Sequence, residues 1–582
     1  MHGHLRPGRR WWRWLGLSVG LIFVWQQQTA WAIFLDQEET LRFNGRVYNR
    51  STYATQDAAD NTRLRTPYNS WNMMQNRTFI QMELRHNLTE LIAGRYKGLL
   101  APLHYALAPL QFLDPDDMDY FVTYRGEYDG VWDYGPDVFS ENFVRNSVGD
   151  KLHTRQRLRH RHRLFEGYID FTKGPLFIRL GRQNLSWGET DVFRLIDQIN
   201  PLDASFGGFL IALDERRIPL DMLRTIYGLG SRGPFSEIDV EGYVALDDEV
   251  AEAVPTGSPW ATPNLPGING FLKKPARNFT DARGGVRIIG VLGDFTFSVA
   301  HYYTYLDAPT LRVVTPTRAG TPPINLGAFQ DAVANGQTSR FLVDHFHANQ
   351  WFPKVQISGA TLSFSVPKLS AVVRSELAYF YAEPFFLNSA PNQILGPAIT
   401  GTITPGYRQV GVDPVNGKPL LRYKSNIDRS DVVRWSLGLD INRYIRFLNP
   451  SQSFVISGHV FGSHFLSFNS KPLTKAAPNF DFAHFAVPVR DPHRKNQAFV
   501  NMDPYQIINT LSVSTSYYSG VVSPALVFLY DWQGSWLVQP GVTFVRDPFR
   551  LTVQYNYLDG QFNGIGFLRD RDNVIVQLEV VI

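Results

Sequence analysis

At 582 residues a water-soluble chain would be expected to divide into roughly three or four domains, yet no composition shift or Pro/Ser- or charge-rich linker marks such boundaries. The 57 basic and 53 acidic residues leave a net charge of only +4, too balanced for a nucleic-acid partner, and the absence of cysteine removes disulfides, thiolate metal sites and cysteine nucleophiles together. Aromatic residues reach 14%, while the mean hydropathy of −0.19 is that of a soluble protein. A closed sheet whose polar lumen face dilutes an apolar, aromatic-girdled outer face accounts for both values.

In chain order, Arg6, Arg9, Arg10 and Arg13 precede an apolar run from Leu15 to Trp25, and Ala30-Trp31-Ala32 supplies a small-x-small cleavage site. This predicts a signal peptide over 1–32 and a mature chain beginning at Ile33. The apolar run of about 11 residues is too short for an anchor helix, which needs ~20, and no later stretch approaches that length. Arg9-Arg10 invites a twin-arginine route, but a barrel must reach its assembly machinery unfolded. The general secretory route is therefore expected.

Beyond residue 33 the pattern is period two. From Arg434 to Asn442, Trp435, Leu437, Leu439 and Ile441 alternate with Arg434, Ser436, Asp440 and Asn442, so apolar and polar residues take opposite faces of a strand. Likewise Ile80, Met82 and Leu84 would face lipid, and Gln81, Glu83 and Arg85 the lumen. Leu551, Val553, Tyr555 and Tyr557 oppose Thr552, Gln554 and Asn556, while Arg374 and Glu376 point inward together. The last face is Val574, Val576, Leu578, Val580 and Ile582. Strands are predicted at 41–50, 77–87, 120–128, 163–171, 176–184, 220–229, 236–246, 283–292, 294–305, 354–366, 370–381, 431–443, 453–465, 507–518, 524–531, 536–545, 550–558 and 573–582. They number eighteen, with sixteen as the alternative.

Tight links at Thr172–Pro175, Gly293-Asp294, Pro367–Leu369 and Arg546–Phe549 alternate with long ones at 129–162, 185–219, 247–282, 306–353, 382–430 and 467–506. Short turns at one end and long loops at the other are the signature of a transmembrane antiparallel β-barrel of the bacterial cell outer membrane, with both termini in the periplasm. Residues 33–582 are thus expected to form a single barrel domain. Segment 88–119, with Leu99-Leu100-Ala101-Pro102-Leu103 and Leu107-Ala108-Pro109-Leu110, falls where a periplasmic turn belongs. It is too long and apolar for one, and predicts an amphipathic insertion that either docks a periplasmic partner or packs under the barrel.

The least generic stretch runs from Ile178-Arg179-Leu180-Gly181-Arg182-Gln183-Asn184-Leu185-Ser186-Trp187-Gly188-Glu189 to Ile199-Asn200-Pro201-Leu202-Asp203. It resembles the signature of a family of Gram-negative outer-membrane barrels catalogued only as domain of unknown function 1302. The resemblance extends to Glu166–Asp170, Tyr124–Asp129 and the Gly285–Leu311 hairpin, and more faintly to most of the mature chain. Two departures are the insertion at 88–119 and the final Ile582, where most bacterial barrels end in an aromatic assembly signal. The resemblance implies a porin-like channel, often accompanied by a periplasmic lipoprotein-carrier-like protein and an inner-membrane exporter of the resistance-nodulation-division (RND) type. It thereby implies hydrophobic or lipid-like cargo. A structural or surface-adhesive barrel without a transport role is the alternative.

Physically, the block predicts a strand feeding a loop, 185–219, that folds into the pore. Gly181 and Gly188 permit close approach, and Asn200-Pro201 is a turn signal. Arg179, Arg182, Gln183, Trp187, Glu189, Asn200 and Pro201 would fasten the returning loop, whose Asp214-Glu215-Arg216-Arg217 offers both charges. Such a latch would also set the constriction or plug.

Arg155, Arg157, Arg159, Arg161 and Arg163 recur at period two. In an extended chain they would continue the face of Phe165, Ile169 and Phe171 above the hydrocarbon, where guanidinium groups pair with lipopolysaccharide phosphates. One β-bulge would instead turn them into the lumen as an anion-selecting ladder. Asp344-His345-Phe346-His347 lacks further metal-ligand spacing. Gly16-Leu17-Ser18-Val19-Gly20 matches a hydrolase elbow only inside the signal peptide. Ser463-His464 would face opposite ways on a strand. No cofactor, metal or enzymatic activity is expected. The remaining expected partners are outer-membrane lipids and the barrel assembly machinery.

Overall fold

Alternating apolar and polar residues wind the chain into a sheet that closes on itself. The computed structural model describes residues 33–581 except 58–68, 99, 140–150, 191–192, 255–257, 261–269, 309, 317–321, 388–389, 425–426, 467–472, 475–503 and 561–563. The signal-peptide segment lies outside the described residues.

The first nine barrel strands are β1 Leu41–Ala54, β2 Met73–Asn87, β3 Asp117–Asp129, β4 His160–Lys173, β5 Leu176–Gln183, β6 Leu220–Gly228, β7 Glu237–Ala245, β8 Arg283–Leu292 and β9 Phe295–Tyr305. The rest are β10 Lys354–Val366, β11 Ala371–Leu387, β12 Asp428–Arg443, β13 Phe454–Phe465, β14 Tyr505–Ser514, β15 Val522–Asp531, β16 Ser535–Arg546, β17 Phe549–Gly560 and β18 Asn573–Val581. Each pairs antiparallel with its sequence neighbour. β18 returns to β1 in a register running from Arg46↔Val581 to Ala54↔Asn573. The protein is therefore a closed 18-stranded antiparallel barrel, and each strand corresponds to one expected from the alternation. Closure pairs each barrel strand on both sides and leaves the barrel itself no sheet edge. Among the described residues no helix is long and apolar enough to cross a membrane.

The facing follows the pattern. Met82, Leu437, Leu551 and Leu578 stand exposed on the outer wall, while Ser436, Gln554, Asn556 and Gln577 are buried on the lumen side. A slip of one residue would invert each of these, so the hydrophobic alternation fixes the register.

Short connections, such as Gly174-Pro175 and Gly293-Asp294, gather with both chain ends at one rim. Long ones gather at the other rim, where the three-residue link Trp532–Gly534 is the short exception. By the barrel rule the first rim is periplasmic and the second external. At the external rim the connections after β9 and β11 are more than loops. They supply helices Leu326–Ala334, Thr338–His345 and Ala390–Thr400, which enclose their own core around Phe329, Phe346, Ile394 and Leu421. The side chain of Asn325 caps the first of these helices, accepting from Ala328 N–H at 3.1 Å.

The insertion between β2 and β3 spans 88–116, because Asp117–Asp119 already belong to β3. It folds into short turns of helix over a small core of Leu88, Leu91, Ile92, Tyr96 and Met118, with Tyr120 against it. Met118 and Tyr120 share the outward parity of Tyr124, which is exposed on the outer wall. The insertion therefore sits on the outside of the barrel at its periplasmic rim, not under it.

Candidate functional site

The chain leaves β5 at Gln183 and returns at Leu220, and the intervening segment lies inside the barrel. Its neck is held by Asn200, a fully buried side chain. The Asn200 side-chain Oδ1 accepts the Leu185 N–H at 2.7 Å, and its Nδ2 donates to the Ile218 carbonyl at 2.9 Å. The Ile218 N–H donates in turn to the Pro201 carbonyl at 2.8 Å. One asparagine thus ties the outgoing limb to the returning one, as the turn signal implies.

On one side the segment packs by apolar contact. Leu185, Trp187, Leu195, Ile196 and Ile199 join Met222, Tyr302, Ile357, Phe380 and Phe461 from the wall in one buried cluster. Trp187 stands edge-on to Tyr243 and Tyr302, with centroids 5.2 and 5.5 Å away, a favoured aromatic geometry. Wall side chains also read the segment's backbone. The Glu376 carboxylate on β11 accepts the N–H groups of Glu189, Thr190 (2.9 Å) and Ile196 (3.2 Å). Arg374 donates to the Glu189 carbonyl at 2.7 Å. Tyr302 donates to the Ile196 carbonyl.

On the opposite side the contacts are ionic. Glu215 is buried among Arg77 (3.1 Å), Arg50 (3.7 Å) and Arg46 (3.9 Å), and accepts from the Tyr48 hydroxyl at 2.7 Å. Burial alone would raise its pKa, but Arg50, Arg77 and Arg46 outweigh that and hold it down at about 2. Asp203 meets Arg161 and, at 3.5 Å, Arg163 on β4. Despite burial, these two hold its carboxyl well below the usual range. Phe206 lies between the Arg77 and Arg161 guanidinium groups, 4.4 and 4.6 Å from its ring centroid.

A third patch closes the circle. Phe193, Phe209 and Leu210 of the segment pack on Leu529, Leu537 and Leu558 of β15–β17, beside Ile565 and Leu568. The segment therefore touches the wall on three sides and spans the lumen as a plug. A cavity of about 260 Å³ remains beside it, lined by Phe193, Leu195, Leu306, Phe461 and Ile508 with the Arg434–Glu383 and Arg194–Asp307 pairs.

Each expected latch residue has a place. Trp187, Asn200 and Pro201 belong to the plug's fastening as described. Arg217 pairs with Asp197 at 2.6 Å and Asp214 at 3.2 Å, bracing the plug internally. Arg216 is half-buried; burial and the nearby Arg194 push it down to about 10, so it stays charged at neutral pH. Glu189 is gripped through its backbone by the Glu376 carboxylate and by Arg374.

Three residues differ from expectation. Arg179 makes a bidentate pair with Asp170 on the neighbouring strand β4, at 2.6 and 2.8 Å. Arg182 has the other parity and pairs with Asp247 (3.5 Å) and Glu249 (3.3 Å) of the adjacent external loop. Gln183 donates to the Met222 carbonyl of β6 at 3.1 Å. Arg179 and Arg182 thus belong to the wall and rim, whereas Gln183 joins the neck through its backbone carbonyl, which accepts from the Asn200 amide at 3.4 Å, rather than through its side chain.

The arginine ladder is also corrected. Residues Lys151–Arg159 form a helix, which breaks the period-two spacing. There Arg155 and Arg159 pair with Asp133, and Arg157 with Glu252. The register between β3 and β4 then shifts beside Thr123 and Tyr124, leaving Phe165 as an extra residue. This bulge turns Arg161 and Arg163 inward, to Glu127 and Asp203, while Leu164 faces out. The ladder on the lipid face does not form, and the inward-turned alternative holds for two of the five arginines.

Residues at the site that sequence reasoning did not assign to it include Tyr48, Arg77, Tyr243, Tyr302 and Phe206. Glu376 was legible as inward-facing, but its partner lies 187 residues away. Among the described residues no group of three or more His, Asp or Glu could hold a metal ion.

The family model described as "Protein of unknown function (DUF1302)" matches residues 16–580. The chain belongs to this family. No curated protein matches. Solved structures with a similar course include Acinetobacter baumannii OccAB1 (8% identity, TM-score 0.42, covering 95% of this chain and 99% of that one). Pseudomonas aeruginosa OpdK, solved with vanillate, aligns at 6% identity and TM-score 0.38, covering 93% and 97% of the two chains. Escherichia coli Wzi, a carbohydrate-binding β-barrel involved in group 1 capsule assembly, aligns at 9% identity and TM-score 0.35 over 92% and 84% of the two chains.

Proposed function

We propose that this protein is an outer-membrane channel closed at rest by its 184–219 plug, and that its cargo is hydrophobic or lipid-like. The observation that carries the reading is the plug itself. It is fastened on three sides by contacts of different chemistry, which is more than a loop needs merely to lie against a wall. Its sides can therefore be released separately. The cargo class rests on the family resemblance, since the cavity beside the plug mixes apolar side chains with the Arg434–Glu383 and Arg194–Asp307 pairs. The periplasmic carrier and the RND-type exporter are partners by family resemblance, and would hand cargo to or from the periplasmic rim.

Planar-bilayer conductance of the purified protein tests the channel reading. The wild type is expected to conduct little, and variants that unseat or shorten the plug to conduct more. If the barrel stays closed when the plug is trimmed, the channel reading fails. The external lobe with its own core supports a second reading, a surface-binding barrel with no transport role. That reading predicts no conductance from any plug variant.

A further inference from the structure

The insertion 88–116 leaves its own apolar surface uncovered. Tyr105 is 84% exposed, Phe112 80% and Leu103 48%, although all three lie in an element that has a buried core beneath them. What they meet follows from where the element sits. Its core is built on Met118 and Tyr120, and His86 beside them contacts Tyr96 and Tyr120 edge-on. His86, Met118 and Tyr120 all carry the outward parity of their strands. The same parity puts Met82 on the exposed outer wall. A polypeptide folded over the outer wall occupies space that lipid would otherwise fill, so its own outer surface continues the lipid-facing band.

The chemistry agrees with that position. Leu, Tyr and Phe presented outward from the same insertion as the exposed Lys97 and the Glu90-paired Arg95 are what an element lying in the headgroup layer displays. The short helical turns are too small to insert deeply. Lys173, from the β4–β5 turn, donates to the Leu113 and Asp114 carbonyls at 3.1 and 2.9 Å and so fastens the insertion to the rim.

We propose that the insertion is a membrane-interface element, with Leu103, Tyr105 and Phe112 in contact with phospholipid of the periplasmic leaflet. The proposal rests on the reading of the chain as a membrane barrel. It stands beside the expectation that the segment docks a periplasmic partner, and in place of a cap under the barrel.

Because the chain has no cysteine, single-cysteine variants give site-specific labels without background. Tyr105→Cys and Phe112→Cys would be spin-labelled in the full-length folded barrel and reconstituted in phosphatidylethanolamine/phosphatidylglycerol vesicles. Leu437→Cys, on the outer wall, gives the lipid reference, and Val415→Cys, 91% exposed in the external lobe, the water reference. The ratio of collision with oxygen to collision with a water-soluble nickel chelate should lie closer to the Leu437 value than to the Val415 value at both positions. Labels at 105 and 112 that match Val415 would overturn the proposal and favour a soluble protein as occupant. A Leu437 label that itself behaves as water-exposed would overturn the barrel reading, and the proposal with it.

Discussion

The plug's two principal attachments are made of different materials. Toward β6–β13 it presents leucine, isoleucine and tryptophan to an apolar wall, and Glu376 and Arg374 take hold of its backbone. Toward β1–β4 it presents Glu215 and Asp203 to a bank of arginines. The apolar side excludes water and depends on shape. The ionic side depends on opposite charges whose desolvation is costly unless every partner is present. An opening motion that keeps the apolar contacts and parts the ionic ones exposes charged groups to water, which hydrates them well. The reverse motion would expose Leu195, Ile196 and Trp187. Under the proposed gating, the ionic side is therefore expected to open first, with the apolar side as the hinge.

The largest expected effect tests the hinge. Trp187→Ala removes the side chain packed between Tyr243 and Tyr302, and large-to-small substitutions of buried aromatics cost about 3–5 kcal/mol. The barrel should still assemble, as judged by heat-modifiable migration, but conduct strongly. Next comes Glu376→Ala, which strips three backbone N–H groups of their acceptor. Each such hydrogen bond is worth roughly 0.5–1.5 kcal/mol net, and leaving a buried N–H without an acceptor costs about 1–3 kcal/mol. Conductance should rise again, with Glu376→Gln intermediate because one acceptor oxygen remains. If Glu376→Ala assembles and stays as closed as the wild type, the backbone grip is not what holds the plug.

Much of this arrangement was legible beforehand, and the limits have physical causes. Strand periodicity is a local property, so the eighteen strands, their facing and the alternation of short and long links could be read from nearby residues. The Asn200-Pro201 neck was legible for the same reason. The lumen contacts join residues far apart in sequence, such as Tyr48 and Glu215, and no local pattern encodes them. The arginine ladder failed because a helix and a bulge interrupt the extended chain there. A single inserted residue, Phe165, reverses which side Arg161 and Arg163 face. Glu376, which accepts the backbone of Glu189, was legible as inward-facing, but its strand's inward charges gave no hint of their partner.

A smaller effect tests the ionic side. Glu215→Gln removes the charge that Arg46, Arg50 and Arg77 share. It should produce brief openings at low ionic strength rather than a permanently open pore, because the apolar hinge is untouched. Added salt should change the wild type little, since buried pairs are weakly screened. Wild-type openings as frequent as the variant's would mean that Glu215 contributes nothing to closure.

The smallest expected effect is a flat one. The Glu215 carboxyl is displaced downward, to about 2 in the folded state. A group whose folded pKa is depressed contributes its full stabilisation above its unfolded value, ~4.3 for glutamate, and loses it only as pH falls through the folded pKa. Between pH 7 and 5 the ionic attachment should therefore be complete, and at pH 4 still charged. Asp203, held lower still by Arg161 and Arg163, behaves the same way. Conductance of the wild type and of Glu215→Gln should differ by a constant margin at pH 7, 6 and 5, with the wild type the more closed, and by a smaller but persistent margin at pH 4. A margin that vanishes by pH 4 would place Glu215 in the ordinary carboxylate range, and the seat among Arg46, Arg50 and Arg77 would then be open to water rather than buried.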